Sequence, residues 1–121
     1  MKPLNKEKII FDDGTVYEGD VVNGDFHGKG KLIYADGGNY AGDCVKGKYQ
    51  GKGKLTFPDG DIYEGDFVND NPHGKGKYTF AYGDTYIGDF VNGKWTGIGK
   101  YTFSGGKILE GKWKDGEFLG K

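Results

Sequence analysis

YEGDVVNGDFHGKGKLIYADG, residues 17–37, contains a spacing of tyrosine and glycine that recurs along the chain. Four glycines follow the first tyrosine at fixed intervals; the residues are Tyr17, Gly19, Gly24, Gly28 and Gly30. The pattern returns at Tyr40, Tyr63 and Tyr86 and begins again at Leu109, with a step of 23 residues each time. A fixed period of this length is typical of arrays in which each repeat is one small structural unit.

The composition narrows the class of protein. Glycine supplies 25 of the 121 residues, but the glycines are periodic and aromatic residues make up 16% of the chain, which favours order over disorder. Seventeen basic residues nearly balance 18 acidic ones, so we expect no nucleic-acid partner. There is no apolar run long enough to cross a membrane, no signal peptide, and one cysteine, Cys44. We therefore expect a cytoplasmic protein.

Each unit is predicted to be a β-hairpin. In the first unit, TVYEGDVV (15–22) and KGKLIYA (29–35) are short runs rich in β-branched and aromatic residues. NGDFHG joins the two runs, and Gly, Asn and Asp are the residues that tight turns require.

Alternation along the strands separates two faces. Tyr17, Gly19 and Val21 share one face, and Asp20 lies on the other. We predict that Gly19 lies opposite Leu32, which would place Asp20 opposite Lys31. The same ion pair would recur as Asp43 with Lys54, Asp66 with Lys77, and Asp89 with Lys100.

The first face is expected to be built from aromatic rings and glycines. Its rings are Tyr17, Tyr34, Tyr40, Phe57, Tyr63, Phe67, Tyr78, Phe80, Tyr86, Phe90, Tyr101 and Phe103. Glycine inside a strand marks the close approach of another group, so we expect the rings to lie across the glycines of neighbouring strands.

YEGDFVN followed by HGKGKYTF, repeated every 23 residues, resembles the MORN (membrane occupation and recognition nexus) family. The resemblance implies an all-β fold: a single-layer, twisted antiparallel sheet of consecutive β-hairpins, about ten strands in our count. It also implies one MORN-repeat domain over residues 1–121. We divide that domain into a half unit (8–14), four full units (15–106) and a truncated terminal unit (107–121).

No residues suggest catalysis. GDCVKGK (42–48) and GDFVNGK (88–94) have the glycine and lysine spacing of a phosphate-binding loop, but they lack its Ser or Thr and the helix that follows it. His27 and His73 lie two units apart, too far to share a metal, and are expected to bond to turn backbone. We therefore predict a protein that is not an enzyme and has no cofactor.

The remaining candidates concern binding to proteins. Phe26, Tyr49, Pro72, Trp95 and Phe118 hold one repeat position at the hairpin tips, where they either form an exposed rim or fold over their own hairpins. We predict an interaction scaffold whose candidate contact residues are Phe26, Tyr49, Trp95, Phe118, Tyr40, Tyr63, Tyr86 and Trp113. MORN resemblance likewise implies scaffolding and partner binding.

Three further hypotheses stay open. Anionic phospholipid headgroups are the alternative ligand, with peripheral membrane attachment through Lys29, Lys31, Lys52, Lys54, Lys75 and Lys77. A less favoured hypothesis is that a small ligand is held in an aromatic groove. We also predict a homodimer through the C-terminal unit, where Leu109, Trp113 and Phe118 stand near a last strand that lacks a partner. Its alternative is that Trp113 packs back and caps the array.

Overall fold

The computed structural model describes residues 5–121, and over that range the chain is made of β-strands and turns, without a helix. The strands are β1 (Asn5–Ile10), β2 (Val16–Val22), β3 (Asp25–Ile33), β4 (Asn39–Val45), β5 (Lys48–Thr56), β6 (Ile62–Val68), β7 (Asn71–Thr79), β8 (Thr85–Val91), β9 (Lys94–Thr102), β10 (Ile108–Lys114) and β11 (Glu117–Gly120). The all-β prediction is confirmed.

The strands form one open sheet in the order of the sequence, and each is antiparallel to the next. The predicted single layer of consecutive hairpins is therefore confirmed. The described residues form eleven strands, one more than our count of about ten, and the prediction that the last strand lacks a partner is wrong. After β10, Asp115 and Gly116 take positive φ angles of 49° and 86°, which turn the chain back so that β11 pairs with β10.

The predicted register is also wrong. Gly19 lies opposite Gly30, and Tyr17 lies opposite Leu32. A bulge opposite Asp20 shifts the pairing, because Gly19 and Val21 are two residues apart in β2 whereas their partners Gly30 and Phe26 are four apart in β3. The same shift recurs in the following three hairpins.

The core is a row of tyrosines laid over glycines. Tyr17 is fully buried, and a Cβ added to Gly30 would lie 2.5 Å from Cε1 of its ring. The Tyr17 hydroxyl donates a hydrogen bond of 2.7 Å to the backbone oxygen of Asp20, so the buried phenol keeps a partner. Tyr40, Tyr63 and Tyr86 repeat both features. The prediction that rings cover bare glycine backbone is confirmed.

Apolar residues near the end of the first strand of each hairpin complete this core. Cys44, Phe67 and Phe90 occupy one repeat position and are all at most 2% exposed. Phe67 meets the rings of Tyr40 and Tyr63 edge to face, at 5.3 and 5.0 Å between centroids. Burial raises the pKa of the Cys44 thiol to about 11, so this cysteine serves as an apolar core residue.

Candidate interaction surfaces

Four of the predicted contact residues lie inside the molecule. Tyr40, Tyr63 and Tyr86 are 0% exposed, and Trp113 is 5% exposed. These residues are therefore structural, because rings that cover glycine backbone have no free face for a partner. The prediction treated the whole aromatic face as accessible, but the rings lie flat along the sheet and bury one another.

Trp113 packs back on the sheet, as in the capping alternative. Its indole Nε1 donates a hydrogen bond of 2.9 Å to the backbone oxygen of Gly99, and its ring packs 5.4 Å from Tyr86 and 5.7 Å from Trp95. Trp113 is therefore not available for the predicted dimer contact. The strand that was expected to be unpaired, β10, is also paired, with β11.

The tip aromatics fold over their own hairpins. Phe26 stacks on Tyr17 at 3.9 Å between ring centroids, Tyr49 stacks on Tyr40 at 3.8 Å, and Trp95 stacks on Tyr86 at 4.7 Å. Phe118 packs at a tilt against Trp113. All four tip rings are half-buried, so each covers a core ring with one face and keeps part of its surface accessible.

A groove of about 720 Å³ lies on the aromatic face in the N-terminal half of the sheet. Its apolar walls come from hairpin tips and from the turns that link units; they are Phe11, Phe26, Leu32, Tyr34 and Tyr49. Sequence reasoning selected Phe26 and Tyr49 but missed Phe11 as a contact residue and left Tyr34 in the general aromatic face. The structure thus places two of the predicted residues in the lining of one groove.

The groove is lined by Leu32 at a position where the C-terminal units have a larger tyrosine ring. Leu32 and Leu55 occupy the repeat position that Tyr78 and Tyr101 hold in the later units. In the C-terminal half, Trp95 contacts Tyr101 at 5.5 Å and Phe80 at 5.8 Å between centroids, and these rings fill the space. The change from leucine to tyrosine was the sequence signal for the position of the groove.

The charged residues that line the groove are all acidic. They are Asp12, Asp13 and Asp70. Asp70 stands where the other tips have glycine, at a φ of 73°, and its Oδ1 accepts a hydrogen bond of 2.8 Å from the backbone nitrogen of Tyr49. Burial, followed by the charge of Asp70, raises the pKa of Tyr34 to about 12. The groove therefore combines aromatic walls with negative charge.

The opposite face carries a ladder of ion pairs between strands of adjacent units. Lys52 Nζ contacts Asp66, whose Oδ2 also accepts a hydrogen bond of 3.1 Å from the backbone nitrogen of Lys75. These two hydrogen bonds, with that of Lys52 the larger influence, hold the pKa of Asp66 below its usual range. The repeated pairs are Lys6 with Asp20, Lys29 with Asp43, Lys52 with Asp66, and Lys75 with Asp89.

This ladder corrects the predicted ion pairs. Each aspartate pairs with the lysine of the preceding strand, because the register places Lys29 opposite Asp43 and places Lys31 opposite Glu18 on one side and Ala41 on the other. Lys31 lies opposite Glu18, and Lys54 and Lys77 lie on either side of Glu64. Of the six lysines predicted to meet lipid phosphates, three already contact aspartates and three lie in this second charged row.

The histidines tie neighbouring hairpins together. His27 Nδ1 accepts a hydrogen bond of 3.4 Å from the backbone nitrogen of Lys46, in the next hairpin turn. The equivalent acceptors are Gln50 for Asn69, His73 for Asn92, and Thr96 for Asp115. The prediction that the histidines bond to turn backbone is confirmed, and the turn belongs to the neighbouring unit.

Comparison with protein families assigns the array. The model of the MORN repeat matches residues 17–39, 40–62, 63–85 and 86–108, which is about three quarters of the chain. The chain belongs to the MORN repeat family. MORN repeats generally take part in interactions with proteins or membrane lipids and are in general non-catalytic. A search of curated proteins gave no match. Residues 5–121 of this MORN array contain no helix suited to crossing a membrane.

Proposed function

We propose that this MORN array is a non-catalytic scaffold that binds a peptide segment of a partner protein in the aromatic groove. The observation that carries the proposal is the meeting of four aromatic walls and three carboxylates in one open groove. The segment that suits it carries lysine or arginine beside apolar side chains. Membership of a family that interacts with proteins or lipids supports the proposal.

The chemistry of the groove favours such a segment in two ways. Apolar side chains gain about 25 cal/mol for each Å² removed from water against Phe11, Phe26 and Tyr34. A cation above an aromatic ring contributes about 0.5–2 kcal/mol, and the carboxylate of Asp70 at the rim adds electrostatic attraction. An acidic segment would meet repulsion from all three carboxylates.

A library of displayed peptides tests this proposal. Peptides selected on the wild-type protein are expected to be rich in lysine or arginine next to apolar residues. Their affinity is expected to fall about tenfold or more in Phe11→Ser/Tyr34→Ser, which removes two partly exposed walls. Asp70→Gly restores the residue of the other tips and should weaken basic peptides about threefold to tenfold, with less effect at high salt.

Affinity measured by fluorescence anisotropy on the purified variants decides the outcome. Thr79→Ser, a change on the opposite face, serves as the control and should leave binding unchanged. Selected peptides that bind all variants equally, or that are predominantly acidic, would contradict the proposal.

Two other proposals remain. Lys31, Lys54 and Lys77 are exposed and support the alternative of anionic lipid binding, which flotation with phosphatidylserine vesicles would measure. Self-association through the C-terminal unit now rests on Leu109 and Phe118, which are half-buried, and light scattering over a concentration series would measure it.

A further inference from the structure

The ion-pair ladder stops between the fourth full unit and the terminal unit, where both partners change together. Ile98 stands at the repeat position of Lys29, Lys52 and Lys75, and Lys112 stands at the position of the paired aspartates. Ile98 and Lys112 are direct neighbours across β9 and β10. This pair of changes removes a salt bridge without leaving an aspartate unpaired.

An apolar cleft of about 430 Å³ lies where the ladder stops. Its walls include Ile98, which is 56% exposed, and Leu119, which is 61% exposed. Leu119 occupies the position at which His27, Gln50, His73 and Thr96 bind the neighbouring hairpin, so an apolar side chain again replaces a polar one. Ile87, 51% exposed, stands on β8 where Glu18 and Glu64 stand in earlier units, so it is a further apolar side chain in place of a charged one.

The charge around the cleft is positive. Lys112 and Lys114 line it, and within residues 5–121 neither forms a salt bridge. In the preceding unit the carboxylate of Asp89 forms a salt bridge with Lys75 and accepts a hydrogen bond from the backbone nitrogen of Ile98. The register places Ile98 opposite Lys112 and Glu117 opposite Lys114, so a carboxylate from another molecule would find at Lys112 an ammonium group that has no acid opposite it.

We propose that this cleft docks a short segment of a partner protein in which an aliphatic or aromatic side chain stands next to a carboxylate. The apolar side chain enters between Ile98 and Leu119, and the carboxylate meets Lys112 or Lys114. The exposed apolar side chains that line the cleft are Ile98 and Leu119, a small surface that suits a linear segment rather than a stable interface between folded domains. The cleft lies on the face opposite to the aromatic groove, so both sites can be occupied at once.

Two synthetic pentapeptides test the charge and the apolar contact separately. Acetyl-Glu-Glu-Leu-Phe-Glu-amide is the acidic probe, and the same peptide with three lysines in place of the glutamates is its control. In nuclear magnetic resonance titrations, we expect the acidic probe to shift the amide signals of Ile98, Lys112 and Leu119, with a dissociation constant of roughly 1 mM. The lysine peptide should bind those residues at least about tenfold more weakly.

The matched variant is Ile98→Lys/Lys112→Asp, which rebuilds the lysine and aspartate of the earlier units and should fold. It is expected to lose the shifts caused by the acidic probe. Equal binding of the two peptides, no shift at 5 mM of the acidic probe (about five times the expected dissociation constant), or equal shifts in the variant would overturn the proposal. Binding to phosphatidylserine vesicles, or a dimer in light scattering, that the variant abolishes while the acidic probe has no effect would assign the cleft to lipid or to a second copy instead.

Discussion

Replacement of Gly65 by valine is expected to lower the free energy of unfolding by about 3 kcal/mol or more. A Cβ at this position would lie 2.5 Å from the Cα of Gly76 and 2.9 Å from the hydroxyl of Tyr63. The first of these atoms is backbone of the paired strand and cannot move without separating the strands. The φ angle of 152° is a further cost for a branched residue. Chemical denaturation followed by tryptophan fluorescence measures the loss.

Asp66→Asn is the matched control for the valine variant, because Asp66 is adjacent to Gly65 but its side chain forms an ion pair instead of facing the backbone of Gly76. The carboxylate is about one third exposed, and asparagine keeps an oxygen that can accept the hydrogen bond from the nitrogen of Lys75. A loss of about 1 kcal/mol or less is expected. Equal losses for the two variants would show that close packing over the glycines contributes little to stability.

Tyr63→Ala is expected to cost about 4 kcal/mol, the second large effect. The ring is fully buried between Phe67 and Phe90, at 5.0 and 4.9 Å between centroids, and covers Gly76. Its removal leaves a cavity that a single-layer sheet cannot fill from a second layer. The measurement is the same denaturation curve.

Tyr63→Phe separates the hydroxyl from the ring. It removes the hydrogen bond of 2.7 Å to the backbone oxygen of Asp66 and keeps the packing, so a loss of about 1 kcal/mol is expected. If Tyr63→Phe were as damaging as Tyr63→Ala, the phenol hydrogen bond rather than the ring would be the main stabilising element.

The hairpins and their faces could be predicted because both depend on local chemistry. Positive φ angles at Asn23 and Gly24 follow from residue types that tolerate them, and alternation places Tyr17 and Leu32 on one face. The register could not be predicted in the same way. The register depends on a bulge opposite Asp20. The Oδ2 atom of Asp20 accepts a hydrogen bond from the backbone nitrogen of Lys29, and this hydrogen bond cannot be predicted from the spacing of residues in the sequence.

The candidate interaction surfaces were predicted only in part for a related reason. Residue types identified Phe26 and Tyr49, but whether a ring is accessible depends on its neighbours. Tyr40 recurs as tyrosine in all four full units and is buried, whereas the groove owes part of its charge to Asp70, which breaks the repeat. In a periodic protein the residues that recur build the sheet, and departures such as Asp70 and Ile98 distinguish one unit from another.

Each strand pairs only with its neighbours in sequence. The length of the sheet can therefore change in evolution by whole repeats. Insertion or loss of 23 residues adds or removes two strands, or about 10 Å of sheet, and leaves the pairing inside the other hairpins intact. Duplication would move the acidic groove and the apolar cleft apart by a fixed distance without redesigning either. The distance between the two proposed binding sites is thus set by the number of repeats between them.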